Sequence, residues 1–93
     1  MFVKHYQLRA TETSGLALCD ALRHLAQTVV AVEGALSVDV YQDVDERKRF
    51  ILVERWLSEA SYVNASQLID KSVFKAVLAQ LDAPPEQATL ARL

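Results

Sequence analysis

Hydrophobic and polar residues alternate with a period of two in four separate segments of this chain. The segments are residues 2–10, 36–41, 50–57 and 87–93. Because successive side chains of a β-strand point to opposite faces, this alternation predicts four strands. In the third segment, one face combines apolar side chains with a carboxylate. Its residues are Phe50, Leu52, Glu54 and Trp56.

Between the first two segments, apolar residues recur at steps of three and four, which is typical of one face of an α-helix. They are Leu18, Leu22, Leu25, Val29 and Val32. Ser14 precedes this stripe and is the expected N-cap, since its hydroxyl can accept a hydrogen bond from a free helix amide. Gly34 follows the stripe, where a left-handed backbone is often needed. We therefore predict a first helix between Ser14 and Gly34.

A second helical region lies between the third and fourth strand segments, and we predict that it is split. Ser58 is placed to cap its first part, with Glu59 at the positive end of the helix dipole. A break is expected at Ser66. The second part carries an apolar stripe formed by Phe74, Val77, Leu78 and Leu81. Pro84 and Pro85 are expected to stop it, because proline lacks an amide donor and disfavours helix in the preceding residue.

The predicted order of elements is β-α-β-β-α-β. This order indicates an α+β, ferredoxin-like fold, in which residues 1–93 form one domain and helices cover one face of an antiparallel sheet. The other face carries Val3, Ile51 and Val53. Because leaving such a surface in water is unfavourable, we expect a homodimer that pairs two copies through the open sheet face.

Composition and charge narrow the possible partners. The chain has 10 basic and 12 acidic residues, and its one dense charge run, residues 43–49, mixes both signs. We therefore expect no nucleic-acid partner. No apolar run is long enough to span a bilayer, and residues 1–10 do not resemble a signal peptide, so we expect a cytoplasmic protein without a membrane partner. The single cysteine, Cys19, excludes an internal disulfide, and no Cys and His cluster indicates a metal site.

Residues 49–62, RFILVERWLSEASY, resemble the signature of the antibiotic biosynthesis monooxygenase domain. In that family a strand ending in a Glu-any-Trp pattern leads into a helix that begins Ser-Glu-Ala. Glu54-Arg55-Trp56 and Ser58-Glu59-Ala60 match these elements. A segment like Ser72-Val73-Phe74-Lys75 opens the last helix of the family, and Glu33-Gly34 stands where the family commonly has Pro-Gly. The resemblance implies a dimeric α+β barrel of the group that includes small quinol monooxygenases.

The chain also departs from the family pattern. Asn64 stands where many members have a histidine. Leu52 lies four residues before Trp56, at the position where some polyketide-oxidising members have an asparagine. Residues 74–81 contain no histidine to serve as the proximal ligand of the haem-degrading members. Haem is therefore not expected.

The resemblance implies oxidation of a small aromatic quinol or phenol by O2 with no cofactor, the substrate itself supplying the electrons. Such chemistry needs a dry aromatic pocket with a few hydrogen-bond donors. Trp56, Tyr62 and Asn64 are the expected catalytic residues, because an indole, a phenol and an amide can all donate to oxygen. The residues expected to contact the substrate are Tyr6, Leu52, Glu54 and Phe74.

Two of these residues also have a purely structural interpretation. Trp56 could be a core aromatic beneath the helices. Glu54 could form a structural ion pair, since buried carboxylates are rare unless they are paired. The candidate partners for that pair are Arg9, Arg23 and Arg92.

Alternatives are also kept open for the helix residues and for the function. Tyr62 and Asn64 are separated by roughly 200° on a regular helix, so only one of them should face a given pocket. The fold also hosts other activities. The rival functions are a non-catalytic dimeric barrel that binds a small metabolite in a stress or regulatory role, and an isomerase or decarboxylase of a small keto compound.

Overall fold

A computed structural model describes residues 1–93 and contains four β-strands and three α-helices. The strands are β1 (Phe2–Arg9), β2 (Ala35–Gln42), β3 (Arg49–Trp56) and β4 (Glu86–Ala91). The helices are α1 (Gly15–Val30), α2 (Glu59–Leu68) and α3 (Lys71–Leu78). The order β-α-β-β-α-α-β confirms the predicted ferredoxin-like plan and its divided second helical region.

The four strands form one antiparallel sheet in the order β2-β3-β1-β4, so β3 and β1 are central. Phe2 lies opposite Trp56 in the pairing of β1 with β3, and Lys4 lies opposite Glu54. This register directs alternate residues of both strands to the same face. The four residues that the alternation placed together on β3 are all buried there, as predicted.

The hydrophobic core lies between this sheet face and the helices. Its residues are Tyr6, Leu8 and Ala10 from β1 and its end, Leu18, Leu22, Leu25 and Val29 from α1, Phe50, Leu52 and Trp56 from β3, and Ala65 and Val77 from α2 and α3. The predicted apolar stripe of α1 is confirmed up to Val29. Val53 points to the opposite sheet face and is not part of this cluster. The helices therefore cover one face of the sheet.

The start of α1 differs from the prediction. Ser14 occupies the N-cap position, but its side chain accepts no hydrogen bond from the helix. Its hydroxyl instead accepts from the amide of Thr11 at 2.9 Å and donates to the carbonyl of Gln80 at 2.7 Å. The predicted capping bond is wrong because this hydroxyl is used to tie the start of α1 to the segment after α3.

The helix boundaries in the second half of the chain also need correction. The break predicted at Ser66 is wrong, since α2 continues to Leu68 and the Ser66 hydroxyl donates within the helix to the carbonyl of Val63 at 2.7 Å. The chain turns at Asp70, whose carboxylate caps α3 by accepting from the amide of Ser72 at 2.8 Å. The prolines predicted to stop α3 lie beyond its end at Leu78. None of the three helices is long and apolar enough to cross a membrane.

Ser58 caps α2 as predicted, by accepting a hydrogen bond from the amide of Ser61 at 3.1 Å. Gly34 has a backbone φ of +92°, which confirms the predicted left-handed conformation. Its carbonyl accepts from the amide of Leu57 at 2.8 Å. A Cβ atom on Gly34 would lie 2.6 Å from the Cβ of Ser61. Both the backbone conformation and the lack of space therefore favour glycine between α1 and β2.

We expect the Gly34→Ala substitution to lower the free energy of unfolding by about 1–3 kcal/mol through backbone strain, with the contact against Ser61 adding to the loss. Gly15→Ala is the matched control, because no atom lies within 4 Å of a Cβ at that position. The control should change stability by less than about 1 kcal/mol, in the stabilising direction. Urea denaturation at one protein concentration measures both variants, and equal midpoints would contradict this account of Gly34.

Candidate functional site

A cavity of about 370 Å³ lies between the sheet and the helices. β1 and β3 contribute Tyr6, Glu54 and Trp56, which form its floor. The remaining lining residues are Leu25 and Val29 of α1, Tyr62, Ala65 and Ser66 of α2, Ile69 and Asp70 of the turn, and Lys71, Phe74, Lys75 and Leu78 of α3. Most of this lining is apolar. The volume falls in the range of small-molecule pockets, roughly 300–1,000 Å³.

Aromatic rings dominate the inside of the cavity. The ring centroids of Trp56 and Tyr62 are 5.7 Å apart in an edge-on arrangement. Those of Tyr6 and Phe74 are 6.3 Å apart, with the rings tilted by 56°. Both arrangements are favourable for aromatic pairs, which avoid stacking directly face to face. A flat aromatic ligand would therefore meet ring faces and edges from β1, β3, α2 and α3.

Glu54 is the one carboxylate buried in this apolar environment, with 6% of the residue exposed. The indole Nε1 of Trp56 donates to its Oε1 at 3.2 Å. Burial raises the pKa of the Glu54 carboxyl, while the Trp56 hydrogen bond and the positive charge of Lys4 oppose that rise without cancelling it. A carboxylate of this kind can accept a proton from a ligand hydroxyl.

The predicted arginine partner of Glu54 is wrong. No ion pair in the structure includes Glu54, and Arg9 pairs instead with Glu46 at 3.6 Å. The register explains this, because Arg9 points to the opposite sheet face from Glu54. The polar partner of the carboxylate is an indole rather than a guanidinium.

Lys4 is a site residue that the sequence analysis missed. It is 8% exposed and lies directly opposite Glu54 in the sheet. Its ammonium donates to Gln87 Oε1 at 3.2 Å and to Thr89 Oγ1 at 2.9 Å, both on β4. The alternation of β1 could have revealed it, since it places Lys4 on the same face as Phe2, Tyr6 and Leu8.

The Lys4 ammonium also lies near two aromatic rings of the site. Its Nζ is 5.3 Å from the ring centroid of Tyr62 and 5.8 Å from that of Tyr6. These distances allow attraction between the cation and the ring faces. Lys4 does not itself line the cavity. It therefore contacts the two tyrosines without forming part of the cavity wall.

The Tyr6 hydroxyl remains protonated over the usual pH range. Burial is the largest cause that raises the pKa of Tyr6, followed by the negative charge of Glu54 and the neighbouring Tyr62 hydroxyl. A protonated phenol can donate a hydrogen bond to an oxygen atom of a ligand. The floor of the cavity thus places an acceptor, Glu54, close to hydroxyl donors.

The structure brings together five of the seven residues predicted for the site. Tyr6, Glu54, Trp56, Tyr62 and Phe74 all line the cavity. Trp56 is also part of the core, which confirms its structural interpretation, and its catalytic role stays a prediction.

The other two residues lie elsewhere. Leu52 is fully buried in the core and does not reach the cavity. Asn64 is exposed and lines a different groove, formed with residues that include Glu33, Gly34 and Ser61. The separation of Tyr62 from Asn64 around α2 agrees with their spacing. The functional roles of Leu52 and Asn64 stay predictions.

Other potential ligands are not gathered at the site. No group of three or more His, Cys, Asp or Glu side chains is arranged to hold a metal ion. His5 points to the opposite sheet face, and His24 is on an exposed position of α1.

Comparison with known proteins agrees with the fold. A family model described as antibiotic biosynthesis monooxygenase matches residues 1–68. No curated protein sequence matches the chain.

Several solved structures resemble the chain over nearly its whole length. A candidate antibiotic biosynthesis monooxygenase of Nitrosomonas europaea aligns over 100% of this chain and 99% of its own, with a TM-score of 0.90 and 17% identity. A conserved protein of Methanosarcina mazei aligns over 100% of this chain and 94% of its own, with a TM-score of 0.89 and 17% identity. A Pseudomonas aeruginosa protein aligns over 99% of this chain and 93% of its own, with a TM-score of 0.86 and 23% identity. At these identities the likeness concerns the fold alone.

The raised pKa of Glu54 predicts how stability depends on pH. In the unfolded chain this carboxyl titrates at its ordinary pKa, whereas the folded state holds the proton to higher pH. The stability that the Glu54 carboxyl contributes is therefore fully present below its pKa in the unfolded chain. It is lost as the pH rises through its pKa in the folded state. Glu54→Gln keeps an oxygen that can accept from Trp56 and carries no charge, so the variant should gain stability over the wild type as pH rises. Urea denaturation between about pH 4 and about pH 8 measures this difference.

Glu86→Gln is the control for this measurement, because Glu86 is exposed on β4. It should show no comparable gain with rising pH. A Glu54→Gln variant that tracks the wild type at every pH would mean that burial of this carboxylate does not oppose folding.

Proposed function

The chain belongs to the antibiotic biosynthesis monooxygenase family, and we propose that it oxidises a small aromatic quinol or phenol with O2, without a metal or flavin cofactor. The observation that carries this proposal is the buried carboxylate of Glu54, held by the Trp56 indole on the floor of an aromatic cavity. A ring bound there would have its hydroxyl beside a base and its faces shielded from water. The base favours ionisation of the substrate, and the exclusion of water protects the reactive anion.

In this proposal Glu54 is the general base. It accepts the proton of a substrate hydroxyl, which converts the ring into an electron-rich phenolate. Since a base is most effective when its pKa lies near the working pH, the burial that raises the pKa of Glu54 suits it to this task. Lys4, behind the tyrosine rings, limits the rise and keeps the carboxylate available as an acceptor.

The aromatic donors stabilise the oxygen that becomes negative during the reaction. Tyr6 and Tyr62 both line the cavity, and a phenol hydroxyl can donate to a phenolate or peroxide oxygen. The rings of Trp56 and Phe74 hold the substrate plane. Fixed donors of this kind need little reorganisation when charge develops, which is the usual source of a large rate gain.

The reaction balances with the substrate as the only electron donor. A hydroquinone takes up one oxygen atom of O2 on a ring carbon and is released as a hydroxyquinone, while the second oxygen atom leaves as water. The ring loses four electrons in this step, and O2 gains four. The proton taken by Glu54 returns to the departing oxygen.

A second candidate function is non-catalytic binding of a small aromatic metabolite. It is favoured by the position of Asn64, since one of the three residues predicted to be catalytic lies outside the cavity. In that case Glu54 and the tyrosines fix the orientation of the ligand, and no oxygen is consumed.

Oxygen uptake separates the two candidates. We expect the wild type to consume O2 with hydroquinone or methylhydroquinone above the spontaneous rate, in buffer treated with a chelator and free of flavin. With ¹⁸O2, one labelled atom should appear in the quinone product. Glu54→Gln should lower kcat by about 10²-fold or more, the range for loss of a general base.

Two further variants sharpen this test. Trp56→Phe keeps an aromatic ring but removes the donor to Glu54, so it should lower activity by less than Glu54→Gln does. Glu86→Gln removes an exposed carboxylate far from the cavity and should retain wild-type activity. Full activity in Glu54→Gln, or turnover that stops when metal is removed, would refute the proposed chemistry.

We also propose that the protein is a homodimer that pairs through the sheet face opposite the helices. Tyr41 and Leu90 project from this face with 54% and 46% of each residue exposed, alongside Val3 and Ile51. The ion pair between Arg55 and Asp39 lies on the same face at 2.9 Å. Burying the apolar part of this surface against a second copy would favour association at roughly 25 cal/mol per Å² before the entropic cost of binding.

Sedimentation velocity tests the dimer. The wild type should sediment as a species with twice the 10.4 kDa mass of one chain. Ile51→Lys places a charge at the centre of the proposed interface and should shift the protein to single chains, because burying an unpaired charge is unfavourable. Leu16→Lys is the control, since Leu16 is exposed on α1. A wild type that sediments as single chains would contradict the dimer.

A further inference from the structure

We infer that the cavity accepts an aromatic ligand that carries an anionic group, with the ring inside and the anion against Lys71 and Lys75. This inference deepens the proposed function and rests on it, because it specifies which aromatic substrates the site prefers. The relevant class is a hydroxylated aromatic acid. Its hydroxyl would face the floor of the cavity and its carboxylate would face the solvent side.

The solvent side of the cavity is formed by lining residues that are exposed. We call these residues the rim: Ser66, Asp70, Lys71, Lys75 and Leu78. Lys71 and Lys75 are one helical turn apart on α3, so their side chains project from the same side of the helix. Phe74 lies between them in the chain and also lines the cavity. A ring that contacts Phe74 therefore lies next to both cations.

Both rim lysines are free to bind an anion. Neither forms an ion pair, and neither side chain donates a hydrogen bond within the protein. The one acidic residue of the rim, Asp70, caps α3 through the amide of Ser72, and its negative charge leaves the rim with one net positive charge. Two ammonium groups at the entrance of an apolar cavity favour a ligand whose polar end is negative.

The floor of the cavity fixes the opposite end of the ligand. Glu54 is an acceptor in its ionised state and repels a second negative charge, so it favours a neutral hydroxyl donor. Lys4 does not attract a ligand anion to the floor, since it does not line the cavity and donates to Gln87 and Thr89. The negative floor and the positive rim therefore select one orientation of a hydroxylated aromatic acid.

Binding without oxygen tests the inference directly. Trp56 is the only tryptophan of the chain and lines the cavity, so quenching of its fluorescence reports occupancy. The probes are 2,5-dihydroxyphenylacetate and its methyl ester, which share the hydroquinone ring and differ in one charge. Under anaerobic conditions the acid should bind about three- to tenfold more tightly than the ester, the gain expected from two exposed charge contacts.

The Lys71→Gln/Lys75→Gln double variant should bring the ratio of the two Kd values close to one. The matched control is Arg23→Gln/Arg47→Gln, which removes the same two charges from exposed positions outside the cavity. The control should retain the wild-type ratio. Equal Kd values for acid and ester in the wild type, the absence of quenching by both, or an equal loss in the control variant would overturn the inference.

Oxygen uptake with the same two compounds distinguishes this inference from the proposed function. Preferential binding of the acid without oxygen consumption would refute the oxidation and leave the charge preference standing. Turnover of both compounds with equal Kd values would support the oxidation and overturn the charge preference.

Discussion

The pairing of β1 with β3 fixes the position of every residue on the floor of the cavity. In this register Phe2 faces Trp56 and Lys4 faces Glu54, so the charged and aromatic side chains share the helix-covered side of the sheet. A slip of one residue would move the whole set to the opposite face, because side chains alternate along a strand. The helices then determine what surrounds that floor, since α2 supplies Tyr62 and α3 supplies Phe74.

The same burial that suits Glu54 to its proposed role makes its ionised form unfavourable for folding. An ionised carboxylate in apolar surroundings loses its hydration, and one indole hydrogen bond replaces only part of it. Rising pH therefore weakens the fold through this residue and, in the proposed reaction, increases the fraction of the active base. Lys4 moderates both effects, as a cation held by neutral oxygens of β4 rather than by a carboxylate. If Glu54 acts in the proposed reaction, the site trades stability for reactivity.

The fold could be predicted from periodicity, whereas the candidate site residues were implied mainly by the family resemblance. The alternation of β3 places Glu54 and Trp56 together, and the helical stripe of α1 identifies the opposing core residues. Features that depend on a choice between hydrogen-bond partners were harder to predict. The Ser14 hydroxyl had two alternatives, a helix amide or the distant Gln80 carbonyl, and only the packing of α1 near the end of α3 decides between them. Lys4 was missed because a lysine in an alternating strand is typical of solvent exposure. The positions of Leu52 and Asn64 outside the cavity depend on how the helices pack over the sheet.

The two kinds of lysine in this molecule respond differently to dissolved ions. Mobile ions screen exposed charges over a Debye length of about 8 Å at physiological ionic strength, but they screen buried charges much less. The effect of Lys4 on Glu54 should therefore depend less on salt than the attraction of an anion to Lys71 and Lys75. The acid–base character of the interior thus responds to pH more than to salt, while the attraction at the entrance varies with salt.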